Sequence, residues 1–327
     1  MFRKFWKTVK FFLIIGILLI CLPHSILPKK ADDVRKDEYE QYAKLNDAEN
    51  RLKEYRDDED ALKLKIRQLE VINASRRKHN AGPVKLDILA SRVANKMCRE
   101  AAENNYLGHY NLAGEKPYHR YAFAGGYDHI TENAYGEWTT GAYNVTGQVA
   151  YSMMNKGHST FMAEKPPYDG HLKNVINKSH NFVGIGYYLS DRQFRYYEEF
   201  VDRKFEFENI PTAVKPGVPF SITVRTSGDT YLYYLVAYRE EFPVPMKPEA
   251  ISRKGSYPDF TEEQYIRIPA WDLAKMRSGS AYTIPLKFSD PGLYYIQIYE
   301  DKKEISGHGS VNTAGKTPFS GIVITVR

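Results

Sequence analysis

Cysteine is nearly missing from this chain: of 327 residues only Cys21 and Cys98 are Cys. Cys21 lies in an apolar run near the amino terminus, which leaves Cys98 without an intramolecular partner and excludes a disulfide-built scaffold. HExxH, a CxxC pair and a calcium-loop motif are also absent, so any metal site has to be assembled by folding from distant segments. No nucleophile elbow and no local Ser/His/Asp or Cys/His arrangement occurs, which argues against covalent hydrolysis. The basic residues form no stripe with interleaved aromatics. The net charge of +6 therefore reads as mild attraction to an acidic surface such as an envelope polymer, with nucleic acid excluded as a partner.

What is present is ordinary globular composition, with 26 tyrosines and length enough for about two domains. Arg3, Lys4, Lys7 and Lys10 precede the apolar run from Phe11 to Leu22. This predicts a signal peptide or an uncleaved membrane anchor over residues 1–28, with the remainder extracytoplasmic. No Ala-x-Ala site follows, and Ile20 stands where a lipobox before Cys21 needs a small residue. From Asp32 to about Leu69 the chain lacks Gly and Pro, and Leu45, Ala48, Leu52, Tyr55, Glu59, Leu62, Ile66 and Leu69 follow a 3,4 spacing. A continuous helix is expected there: a stalk over residues 32–68, or a short coiled coil giving weak self-association.

Residues 69–202 read as a mixed domain. Asp87 is a good N-cap for a helix from Ile88 to Glu103, whose Leu89, Val93, Met97 and Ala101 form a core face with Cys98 as a buried small hydrophobe. His109 then enters a Gly- and Tyr-rich loop reaching Gly126, where His119 is expected in solvent. A helix from Val149 to Phe161 carries an exposed His158, and Pro166-Pro167 prevents its continuation. Tyr168-Asp169-Gly170 turns the chain to present His171, before strands Phe182 to Leu189 and Phe194 to Val201. Over residues 203–327 short alternating segments such as Phe220, Ile222, Val224 and Ile322, Ile324, Val326, separated by turns such as Asp290-Pro291-Gly292, predict a small all-β sandwich resembling an immunoglobulin-like module.

One ordered series runs through the middle domain: Asn73-Ala74-Ser75-Arg76, Gly108-His109, Thr131-Glu132-Asn133, Gly170-His171-Leu172-Lys173-Asn174 and Val183-Gly184-Ile185-Gly186. It resembles the CAP superfamily, the cysteine-rich secretory, antigen 5 and pathogenesis-related 1 proteins, in a disulfide-free bacterial form. The resemblance implies an α+β fold, an α-β-α sandwich with a solvent-open cavity lined by two His and two acids. Carried onto this sequence, these fall on His109, Glu132 and His171, with Glu164 as the second acid by proximity to His171 and His158 in reserve for the fourth position. The usual Trp-x-x-Glu helix motif is missing, and Thr131 stands where the family prefers Gly.

Two imidazoles and two carboxylates facing one hollow can hold a divalent cation such as zinc, with His109, His171 and Glu132 as ligands, or relay protons. The function expected is a non-enzymatic binding module at the cell envelope, facing a polymer, lipid or protein ligand. A metal-assisted hydrolase of peptides or glycans, and a structural envelope spacer, are the alternatives.

Overall fold

The protein, a computed structural model, is described over residues 35–258 and 263–327. The apolar amino-terminal segment read as a signal peptide or anchor lies outside the described residues, among which no helix is long and apolar enough to cross a membrane.

The continuous helix expected up to Leu69 is instead a broken pair, α1 (Lys36–Ala48) and α2 (Glu59–Lys78), with Leu52 between them at φ 48°. The cause is a residue distant in sequence. The guanidinium of Arg92 donates to the carbonyls of Asn46 (2.7 Å), Glu49 (2.9 Å) and Arg51 (2.6 Å), satisfying oxygens left open where α1 ends. Asp58 then starts α2 by accepting from the Ala61 N–H at 2.8 Å. Leu62, Ile66 and Leu69, expected in a stalk or coiled-coil seam, are buried in the chain's own core. The stalk reading is thereby corrected: α2 is a layer of the folded domain.

The first sheet has the order β1 (Lys85–Leu86), β3 (Phe182–Leu189), β4 (Gln193–Asp202), β2 (His129–Trp138), parallel only at β1–β3. Helix α3 (Ile88–Glu103), capped by Asp87 as expected, lies directly on β3. That approach requires glycine: a Cβ at Gly184 would sit 2.4 Å from the Ala90 backbone, and one at Gly186 2.4 Å from Ala94. On the opposite face, α2 and α5 (Gly147–Met162) bury Phe194, Tyr196 and Phe200 of β4. Because helices cover both faces, every residue of β4 from Phe194 onward is buried, including Glu198 and Glu199. Two short helices complete this part, α4 (Pro117–Phe123), where a loop was expected, and α6 (Gly170–Val175).

The rest of the chain holds two further sheets. One runs β10 (Arg277–Ser278), β11 (Ala281–Leu286), β7 (Phe220–Arg225), β5 (Glu206–Glu208); the other runs β6 (Ala213–Val214), β13 (Ile322–Val326), β12 (Gly292–Asp301), β8 (Tyr231–Glu240), β9 (Gln264–Pro269). Ile222, Val224 and Ile284 share a core with Leu235, Ile296 and Ile324. Helices α7 (Pro248–Lys254) and α8 (Ala270–Lys275) flank β9 in sequence.

This carboxy-terminal part is fused to the first by a second apolar cluster, in which Tyr233, Tyr238, Tyr295 and Val323 meet Tyr118, Tyr121, Ile130 and Val201. The rings of Tyr118 and Tyr295 stack at 4.1 Å. His119, expected in solvent, is buried at this junction, with Nε2 3.0 Å from Glu240, which also holds Lys116 and Tyr118. Its helix faces the added sheet, and that contact is invisible in local sequence.

Candidate functional site

Strand β2 lies at the edge of its sheet, and side chains of consecutive strand residues point to opposite faces. Glu132 and Asn133 are such a pair, and each anchors one side of a cleft. On the α3 side Glu132 accepts from Nδ1 of His109 at 2.7 Å. On the α5 side the Asn133 amide reaches the His171 carbonyl at 3.2 Å, and its oxygen accepts from Asn174 of α6 at 2.9 Å. Glu164 accepts from Nδ1 of His171 at 2.5 Å and from the backbone N–H groups of His171 and Leu172, so it also caps α6. The two imidazoles meet with ring centroids 6.4 Å apart. His171 further stacks on Phe161 at 4.9 Å.

The loop carrying His109 is tied down along its length. Tyr197 donates to the Gly108 carbonyl at 2.8 Å and Arg120 to the His109 carbonyl at 2.7 Å, while Glu100 accepts from the Leu112 N–H at 2.7 Å. Arg120 also bonds Glu132 and stands 3.6 Å from Glu199. Burial opposes the charge on Arg120, but Glu132 and Glu199 outweigh it and its pKa is raised. Burial raises Glu199 well above the usual carboxylate range and the neighbouring Glu132 raises it further; burial raises Glu132 too, against the opposing pull of Arg120.

Burial and the nearby Arg120 charge push His109 down to about 4, so it is neutral near pH 7. A carboxylate only accepts, so Nδ1 of each imidazole donates to its glutamate, and in a neutral imidazole so held Nε2 is the nitrogen with the lone pair. Neither Nε2 has a partner among the described residues. The side chain of His171 is 33% exposed and that of His109 11%, so both lone pairs belong to partly open rings.

The four residues expected from sequence are therefore brought together, but their roles differ from the expected ligand set. Glu132 is fully buried with one oxygen on His109 and the other on Arg120, and offers no oxygen to a cation. It orients the His109 imidazole. Among the described residues no three His, Cys, Asp or Glu side chains are grouped to hold a metal. His158, held in reserve as an exposed residue, is buried; it bonds Glu198 at 2.8 Å and Ser75 at 2.9 Å, joining α5 to β4 and α2. The two largest cavities described, of about 760 and 840 Å³, lie elsewhere, around Phe182, Arg203 and Phe205. There Arg203 is paired with Asp87 and Asp128.

Sequence reasoning missed Asn133 as the anchor of the second side, Glu199 as the acid opposite Glu132, and Tyr257, whose hydroxyl accepts from the Glu132 N–H at 3.2 Å. The strand alternation could have revealed the first two. Nothing local marks Tyr257.

The family model for the cysteine-rich secretory protein family, CAP, matches residues 69–200. Among solved structures the chain is similar to an extracellular protein containing a SCP domain from Bacillus anthracis strain Ames, at 20% identity and TM-score 0.30, covering 42% of this chain and 39% of that one. It is also similar to an outer surface protein from Borrelia burgdorferi, at 18% identity and TM-score 0.33, covering 42% and 90%. The chain thus spans well under half the length of the Bacillus protein. No curated protein matches it. Residues 69–200 of the chain thus match the CAP family and form its CAP domain.

Proposed function

We propose that the chain is an exported, non-enzymatic binding protein whose paired imidazoles capture a divalent cation such as zinc, leaving open positions for water or a small ligand. The observation that carries this reading is the pair His109 and His171, each with Nδ1 fixed by a carboxylate and Nε2 unclaimed, at 6.4 Å between rings. Imidazole ligands are commonly oriented this way by a carboxylate on the far nitrogen. Two imidazoles bonded to one tetrahedral ion at about 2.0–2.1 Å would place their ring centroids roughly 5 Å apart, so capture requires the two rings to draw closer than they stand. A bound ion would supply a Lewis-acid centre; the chain's own part is to fix each imidazole through Nδ1 and leave Nε2 for the ion.

The alternative, metal-assisted hydrolysis, needs an acid free to take a proton. Glu132 has both oxygens engaged, which favours capture over turnover. A spacer with an idle cleft remains the second alternative.

The basic, apolar amino terminus supports export, with the segment cleaved or kept as a single-pass anchor. In the same reading the CAP domain spans 69–202 as an α-β-α sandwich, residues 203–327 form an immunoglobulin-like unit, and the ligand is a component of the envelope.

Zinc titrated into the chain, purified without chelator and followed by calorimetry, should show one site per chain. His109→Ala with His171→Ala should abolish it. Uptake that survives the double substitution, or no uptake by the parent, overturns the reading.

A further inference from the structure

The carboxy-terminal unit sends residues 244–257 across the loop that carries His109. The Met246 N–H donates to the Leu112 carbonyl at 2.9 Å, and Ser252 Oγ accepts from the Leu107 N–H at 3.4 Å. Ile251, 1% exposed, shares a cluster with Tyr106, Tyr110 and Tyr197. Close approach is built in: a Cβ on Gly108 would lie 2.9 Å from Ile251, and one on Gly114 would lie 2.2 Å from the Val244 carbonyl oxygen. At the end of this strap stands Tyr257. Its ring meets His109 edge-on at 5.1 Å and its hydroxyl takes up the Glu132 N–H.

An edge strand leaves backbone N–H groups without a neighbour strand, and here the open N–H lies beneath the point where the two halves of the cleft join. One phenol therefore touches the imidazole and the backbone of the acid that orients it. Among the described residues His171 has no such contact; Glu164, Phe161 and Asn133 support it.

We infer that the cleft is a two-unit site in which Tyr257, contributed by the carboxy-terminal unit, is a positioning residue for His109, so that capture at the imidazole pair depends on that unit. The inference rests on the cation reading for its consequence, though not for its geometry.

Full chains carrying Tyr257→Phe and Tyr257→Ala test it. The Glu132 amide should exchange with solvent at least about five-fold faster in both variants, since its hydroxyl partner is gone. The imidazole NMR signals of His109 should move in Tyr257→Ala, with those of His171 unmoved. Zinc affinity should fall about ten-fold or more in Tyr257→Ala and less in Tyr257→Phe, which keeps the ring. Unchanged amide exchange together with unmoved His109 signals overturns the inference. If the parent chain takes up no zinc, the cation reading fails by itself, and the exchange and NMR results still decide the role of Tyr257. A zinc affinity in Tyr257→Ala within two-fold of a zinc-binding parent also overturns it.

Discussion

His109 shows how one side chain can be set by neighbours that its own sequence context does not name. In the fold it is pushed down to about 4 by burial and by Arg120, against 6.5 when unperturbed. The folded value lies below the unfolded one, so as pH falls from 6.5 the unfolded chain takes up the proton first and stability drops. The loss is complete once pH passes below about 4. His109→Gln keeps a polar side chain without that titration. Urea unfolding between pH 7 and 4 should therefore show a shallower decline in the variant, by up to about 1.4 kcal/mol per pH unit within the window. Equal slopes in the two proteins would show that His109 titrates alike folded and unfolded. His109, Glu132 and His171 were legible in the sequence because short polar motifs stand in a fixed order there. The direction each nitrogen faces was not, because it depends on Arg120, Glu164 and Asn133 arriving from other elements.

At the scale of elements, the sequence indicates α3 and β3 to the residue, since the Asp87 cap and the Val-Gly-Ile-Gly alternation are local signals. It misleads over α1 and α2. A 3,4 apolar spacing without Gly or Pro reads as one helix, yet the chain turns where Arg92 supplies donors to three carbonyls at once. Arg92→Met should leave those oxygens without their buried donor and cost about 3 kcal/mol. Limited proteolysis should then cut between α1 and α2 before the rest of the chain, and denaturant titration should report the loss. Cleavage no faster than in the parent would mean that packing alone sets the break. In strand β4 Glu198 and Glu199 both lie beneath helices, Glu198 bonded to His158 and Glu199 3.6 Å from Arg120.

For the molecule as a whole, the carboxy-terminal sheets read from sequence as an appended module. In the structure their outer face is covered by α4 and neighbouring strands through Tyr295, Tyr238 and Val323. A junction of stacked aromatics, with the buried Glu240 cluster beside it, couples the stability of the two parts. Scanning calorimetry of residues 35–327 should accordingly show one transition. Tyr295→Ala should lower stability by about 3–5 kcal/mol and shift the whole transition instead of splitting it. Two separated transitions in the parent chain would contradict this coupling.

By itself the sequence determined the capped helix α3, the residues from which a cleft is made, and a mixed domain followed by a strand-rich half, in which helices α7 and α8 correct the expected all-β composition. These are set by periodicity, caps and turn chemistry, which act over a few residues. Only the tertiary structure decided that α1 and α2 are separate, that Glu132 orients the His109 imidazole, and that Tyr257 belongs to the cleft. Each of those depends on contacts between segments tens of residues apart or more, where buried hydrogen bonds and close packing outweigh local preference.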